Sequence, residues 1–427
     1  MSEFGKGWKV LIAAFLGVMC GASPLPFNVL GALFKPLQEE FGWNRGEISA
    51  GITVFGITAS LMAPVIGWLS DKYGVRRVAL LSLVGFTVAF AAMYFTPPSL
   101  AGYYALWFLI GLVGIGSTPV TWSRAISMWF VRNRGLALGI MLIGTSVAAL
   151  IVPNLAVWAI ANHGWRAMFP IVALLPLLVA LPVCLLLFRE PRPDERPDAL
   201  TTADGKVAGM TFGAAIKTRQ FWTLWVSILL IASAYGGAHI HMIPIVMDHG
   251  FTLPAAAGVM SIVGLGLLVG RVGVGFLLDR IWGPAVGFPV LCLPAIACVL
   301  LMGTNSDVLW ISVAAFLLGF AAGAESDLIA FLAARYFGMA HFGRIYGMLY
   351  MPFGFFSAVS PLIYGIVRDR AGSYDPMLSV AAVLFIAGGA LLLLLGRYPE
   401  LSPELSPELS PELSEVETYG KPAEAAV

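Results

Sequence analysis

The sequence predicts an all-α integral membrane protein whose twelve transmembrane helices form two pseudo-symmetric six-helix bundles. Three observations lead there. The 427-residue chain is 59% hydrophobic and only 11% charged, whereas a soluble domain carries about 25% charged residues. Twelve predominantly apolar runs reach the ~20 residues that a helix needs to cross a bilayer. Landmarks in the two halves recur at a single spacing of 208 residues.

The apolar runs are 9–36, 47–70, 78–96, 102–130, 136–161, 167–188, 221–246, 254–278, 285–303, 309–336, 345–367 and 376–396. They are continuous rather than alternating in polarity, which selects helices over barrel strands. The first run is too long for the apolar core of a signal peptide and is expected to remain as a span. Four units follow: a six-helix bundle over 1–188, a cytoplasmic linker over 189–219, a second bundle over 220–397, and a tail over 398–427. The tail repeats Pro-Glu-Leu-Ser and is expected to be disordered.

The repeat is carried by Gly67, Leu69 and Asp71, which match Gly275, Leu277 and Asp279. Gly139 matches Gly347 and Gly164 matches Gly372, again 208 residues apart. A duplicated six-helix unit follows. Two bundles related by an axis along the membrane normal suit a rocking carrier with its binding site between them, near mid-membrane.

Basic residues orient the chain. Loops 2–3, 4–5, 8–9 and 10–11, the central linker and the chain ends hold 17 Lys and Arg, against 5 on the other side (Lys35, Arg45, Arg166, Arg368 and Arg370). Both termini are therefore expected in the cytoplasm, the protein being multi-pass in the plasma (inner) membrane.

Other functions lack support. A net charge of +1 offers no footprint for nucleic acid. Cys20, Cys184, Cys292 and Cys298 sit in apolar runs without metal-ligand spacing. No nucleophile–base set or phosphate-binding glycine loop stands out, so neither an enzyme nor a cofactor or metal site is expected.

The interior charges are the candidate site. Arg124 in span 4, Arg271 in span 8, and Glu325 and Asp327 in span 10 are the Lys, Arg, Asp and Glu residues that lie inside spans, away from their ends. Each costs about 2.5–3.5 kcal/mol or more near mid-membrane, so each is expected to face the bundle interior. Arg124 lies roughly 9 Å and Arg271 roughly 12 Å from the cytoplasmic end of its helix. The bland reading is a self-neutralising salt bridge. The sharper one is a site where Arg124 and Arg271 bind an anion and a carboxyl carries a proton. Glu325 and Asp327 stand about 200° apart around their helix, so both cannot face one cavity equally; Asp327 is slightly preferred. Asn28, His239, His241, Trp122, Tyr235, Tyr346 and Tyr350 are either packing residues or further contacts to a solute.

Gly67-Trp-Leu-Ser-Asp71-Lys72-Tyr-Gly74-Val-Arg76-Arg77 resembles the loop 2–3 signature of the major facilitator superfamily, and it is echoed around Asp279 and Arg280. Arg134-Gly135-Leu-Ala-Leu-Gly139 and Gly164-Trp165-Arg166-Ala-Met-Phe169 also fit that family. The resemblance implies the major facilitator fold, spans 1, 4, 7 and 10 around the cavity, and a gating role for Asp71, Arg76, Asp279 and Arg280. Asp71 is placed to cap a neighbouring helix N-terminus, a contact that one conformation can make and another release. Span 5 has Val152-Pro153-Asn154 in place of the Gly-Pro-x-x-Gly-Gly run of drug–proton antiporters.

Phe41-Gly-Trp43-Asn-Arg45-Gly-Glu-Ile48-Ser49 and Gly270-Arg271-Val-Gly-Val-Gly275 are similar to segments of the monocarboxylate porters and the oxalate–formate antiporter group. In the former the matching Arg binds the substrate carboxylate, and a guanidinium fork suits that partner. The chain departs from the group at Leu267, where an acidic residue is usual, and at Phe27 or Asn28, where a lysine is usual. It also lacks a basic residue within 345–367. The expected function is secondary active transport of a small organic anion, monocarboxylate-like, by alternating access and proton symport in a monomer. Anion exchange without net proton coupling is the alternative, and a non-transporting membrane sensor the third.

Overall fold

The computed structural model describes residues 3–192, 195, 197, 207–303 and 307–399. Much of the central linker and the tail from 400 onward, which carries the Pro-Glu-Leu-Ser repeats, lie outside the described residues.

The described chain is helical, with one isolated bridge between Gly209 and Gly338. Ten helical segments are long and apolar enough to cross a membrane. A broken first span and the division of 134–187 at Gly164 bring the spans to twelve. Span 1 is Glu3–Met19 with Leu25–Phe41, span 2 Arg45–Tyr73, span 3 Val75–Ala92, and span 4 Leu100–Gly114 with Pro119–Trp129. Spans 5 and 6 share Arg134–Leu174 and run on to Leu187. Span 7 is Arg219–Ile240 with Met242–Asp248, span 8 Leu253–Leu278, span 9 Gly283–Leu300. Spans 10, 11 and 12 are Val308–Phe337, Phe342–Ala371 and Asp375–Leu393.

Spans 1, 4 and 7, expected as continuous helices, are interrupted at Cys20–Pro24, Ile115–Thr118 and His241. Proline explains each break. Pro24, Pro26, Pro119 and Pro244 lack the N–H that would continue the ladder. Freed backbone inside a membrane must find partners in the protein. The breaks of spans 1 and 4 abut and supply them: the Ala22 amide donates to Ser117 Oγ at 3.0 Å, and Trp122 Nε1 donates to the Ser117 carbonyl at 2.9 Å.

Gly164 turns the chain between spans 5 and 6 with φ of 80°, open to glycine without strain. Beside it Arg166 pairs with Glu40 at 2.7 Å, which ties the turn to the end of span 1.

The halves meet along two matching seams, span 2 on span 11 and span 5 on span 8. Gly67 lies against the Gly343 carbonyl, and Gly275, 208 residues on from Gly67, lies against the Gly135 carbonyl. A Cβ at either glycine would overlap backbone, so these positions set how closely the bundles approach. Both seams are near the face that holds the chain ends, here called the terminal face.

Candidate functional site at the seam between the halves

Five charged side chains are buried in the described structure: Arg124 (8% exposed), Arg134 (2%), Arg271 (7%), Glu325 (4%) and Asp327 (0%). They divide into a central cluster and a terminal-face network.

Arg271, Asp327, Glu325, Tyr235 and Tyr350 form the central cluster. Arg271 rises from span 8 at the seam with span 5. Its backbone carbonyl faces Gly139, and its Nη1 donates to the Leu142 carbonyl. Its Nε is buried without a partner among the described residues. Asp327 lies in the electrostatic range of Arg271, and its Oδ2 stands 3.4 Å from where a Cβ on Gly139 would be. Apart from the adjacent Ser326 hydroxyl, neither Asp327 oxygen has a hydrogen-bond partner among the described residues. Asp327 therefore faces the other half of the molecule.

Glu325 faces inward, into the second half. It borders a small apolar void with Ser227, Ile228 and Ile231 of span 7 and Leu291 of span 9. Its Oε1 has no partner among the described residues. The repeat gives a reason. Ser117 occupies the corresponding place in the first half and there serves the broken backbone of span 1. Span 7 is unbroken opposite Glu325, so it offers no free amide. Tyr235 and Tyr350 feel both Glu325 and Arg271, and Tyr235 Oη lies 3.1 Å from His239 Nδ1. Arg271 thus has Asp327 in electrostatic range without an ion pair within 4.0 Å, while Glu325 is linked to it only through the two tyrosines.

Other expected site residues are placed elsewhere. Arg124 does not join span 10; it pairs with Asp71 and lies 3.5 Å from Glu190. Its partner comes from the end of span 2 because span 4, after its break, turns Arg124 toward the terminal face. Trp122 is fully buried against Gly17 and Phe188. Asn28 Nδ2 donates back to the Pro24 carbonyl at 2.8 Å. His241 sits at the span 7 break with Nδ1 2.9 Å from Tyr374 Oη and Nε2 3.0 Å from the Pro361 carbonyl. It joins spans 7, 11 and 12 within one half. Tyr346 is fully buried beside Phe342 and Tyr350.

At the terminal face, two aspartates cross between the halves in matching ways. Asp71 accepts from the amides of Gly343 (2.9 Å) and Arg344 (2.8 Å), the first turn of span 11. Asp279 accepts from Gly135 (2.7 Å) and Leu136 (3.0 Å), the first turn of span 5. Every one of these four contacts maps onto its counterpart by the 208-residue repeat. Arg76 and Arg280 stay within their own halves, on the carbonyls of Leu185 (2.6 Å) and Phe276 (3.1 Å).

Three network members escape a reading by loop and span. Arg134 counts as a loop cation in sequence, yet it is buried and donates to the carbonyls of Phe130 and Ser127. Its place at the head of the Arg134–Gly139 segment was the available signal. Glu190 and Glu3 look like solvated ends, yet Glu190 accepts from Val75 and Glu3 accepts from the amides of Val131, Arg132 and Asn133.

Known proteins carry the same architecture. The chain is 26% identical over 417 residues to the hexuronate transporter of Escherichia coli (strain K12), covering 91% of this chain and 93% of the relative. It is 27% identical over 412 residues to monocarboxylate transporter 13 of Rattus norvegicus, covering 92% and 90%. The fold is similar to that of the human organic anion transporter MFSD10 (TETRAN), with a TM-score of 0.71 at 17% identity over 90% of this chain and 99% of that one. These proteins are transporters, and the model of the Major Facilitator Superfamily matches residues 10–351. With twelve spans, a 208-residue repeat and paired aspartate caps across its seams, this multi-pass membrane chain belongs to the Major Facilitator Superfamily.

Proposed function

We propose that this transporter moves a small organic carboxylate into the cytoplasm by alternating access, coupled to protons. One observation carries the reading: Arg271 is buried at the seam between the halves in electrostatic range of Asp327, whose oxygens, Ser326 aside, have no hydrogen-bond partner among the described residues. Arg271 receives the substrate carboxylate, since a guanidinium fork matches it in two hydrogen bonds. Asp327 competes for the same cation and gives way to the substrate when it is protonated. Glu325 is a second acid, reached through Tyr235 and Tyr350. Relatives named for hexuronate and for monocarboxylates support a substrate bearing one carboxylate.

The 17-to-5 distribution of basic residues supports a cytoplasmic terminal face. Asp71 and Asp279 then act as inner latches. Each holds the first turn of a helix in the opposite half, and rocking the halves apart removes both caps. Arg124 and Arg134 belong to that latch. The state described has both caps made at the terminal face.

Purified protein in liposomes tests the proposal with ^14C-labelled monocarboxylates and hexuronates. An imposed inward proton gradient should drive accumulation, and Arg271→Ala should abolish it. Uptake indifferent to the gradient, with counterflow intact, would establish anion exchange instead. Absence of uptake and counterflow with every carboxylate would remove the anion reading.

A further inference from the structure

A cavity of about 750 Å³ opens at the terminal face, outside the cluster just described. It is bordered by Arg280, Arg335, Arg397, Asp279, Trp282 and Tyr398. Three arginines and one aspartate thus line it; the Arg280 guanidinium is held on the Phe276 carbonyl, and Asp279 already accepts from the amides of Gly135 and Leu136. The Arg335 Nε is buried without a hydrogen-bond partner among the described residues.

The repeat shows what is missing. In the first half, the amide of Val75 donates to Glu190 Oε1 at 3.3 Å, and that same oxygen lies 3.5 Å from Arg124 Nε. In the second half, the amide of Gly283 donates to Tyr398 Oη at 2.8 Å. Val75 and Gly283 are 208 residues apart, as are Glu190 and Tyr398. Leu332 stands 208 residues on from Arg124, and Arg335, three residues beyond it, supplies the cation beside Tyr398, 5.4 Å from its ring centroid. The first half brings its own anion to this place. The second half has a neutral side chain and an open cavity there.

We propose that this cavity binds a phosphate group, which supplies the anion that the second half lacks. Guanidinium groups bind phosphate oxygens through paired hydrogen bonds. The volume falls in the ~300–1,000 Å³ range of small-ligand sites. Trp282 and Tyr398 are the side chains favoured where a helix end meets lipid headgroups, and basic pockets between helix ends take anionic headgroups. The phosphate comes from a phospholipid or from a soluble phosphate ester. The site is independent of the transported solute.

Thermal unfolding of the delipidated full-length protein in detergent tests this. The probes are phosphatidylglycerol, net-neutral phosphatidylcholine as its control, and glycerol 3-phosphate. Phosphatidylglycerol is expected to stabilise the wild type more than phosphatidylcholine does. A response to glycerol 3-phosphate as well identifies a site for free phosphate; a response to the lipid alone identifies a headgroup site. In Arg335→Gln and Arg397→Gln the half-saturating concentration should rise about fivefold per arginine. Tyr398→Glu keeps an acceptor for Gly283 and installs the carboxylate of the first half, and it should eliminate the response. That variant decides the matter should Arg335→Gln fail to fold. Equal responses in the wild type and Tyr398→Glu, or no response by the wild type to either phosphate probe, would overturn the proposal.

Discussion

Arg271 and Arg124 look alike in sequence, as single cations within apolar helices, and the structure separates them. Arg271 has Asp327 in electrostatic range but no carboxylate within 4.0 Å among the described residues, whereas Arg124 is held by Asp71 and Glu190. Replacing each should have different consequences. Arg271→Ala is expected to fold and to lose ligand-induced stabilisation by carboxylates, and Arg271→Lys to retain little of it, because an ammonium cannot reproduce the planar fork. Thermal shift against a panel of carboxylates measures both; a normal response in Arg271→Ala would sink the assignment. Arg124→Ala leaves a carboxylate buried without its cation, at a cost of about 3–5 kcal/mol. The compensating change should be Asp71→Asn, not Asp327→Asn or Glu325→Gln, and chemical denaturation of the double variants checks this. In the central cluster, Asp327→Asn should remove proton-driven accumulation while counterflow of substrate persists. Retention of the proton-driven component would exclude Asp327 as the proton carrier.

Helices were legible in the sequence, and their interruptions were not. Apolar length marks a span regardless of a local break, so spans 1, 4 and 7 read as continuous. The prolines were visible, but proline within a membrane helix is compatible with a bend or a break. Which of these occurs depends on whether a partner exists for the freed amide, and Ser117 of another span is that partner for Ala22. The latch works at this same scale. A carboxylate at a helix N-terminus contributes about 0.5–2 kcal/mol, and here only while the halves touch. Asp71→Ala should therefore move the balance toward the state open on the terminal face by roughly 2- to 30-fold. In a background lacking the native cysteines, alkylation of Ala137→Cys, a buried position beside the Asp279 cap, reports that opening. An unchanged alkylation rate would mean that the cap does not control the seam.

Across the whole molecule, the repeat turns one contact into two. Asp71 with Gly343 and Asp279 with Gly135 are separate sites that serve a single transition. Their free energies should add, so Asp71→Ala with Asp279→Ala should multiply the single-variant shifts in alkylation rate. A double variant no more open than either single one would show that one latch suffices. The repeat is imperfect in instructive places. Glu325 replaces Ser117 and Tyr398 replaces Glu190, and at both the second half departs from a contact that the first half satisfies internally. Such departures are visible as letters in the sequence but acquire meaning only when the two contacts are compared in space.

The sequence by itself determined the twelve spans, the duplication and the interior charges. These follow from local quantities: apolar length against bilayer thickness, recurrence at 208 residues, and the cost of an ion in hydrocarbon. Tertiary structure alone decided the partners. The ~200° between Glu325 and Asp327 was legible, and it required that they face different neighbours. Which neighbours they face, and that Arg124 serves the latch rather than the centre, depends on how far one bundle slides and turns against the other. That packing is set by glycine seams distant in sequence, where backbone meets backbone.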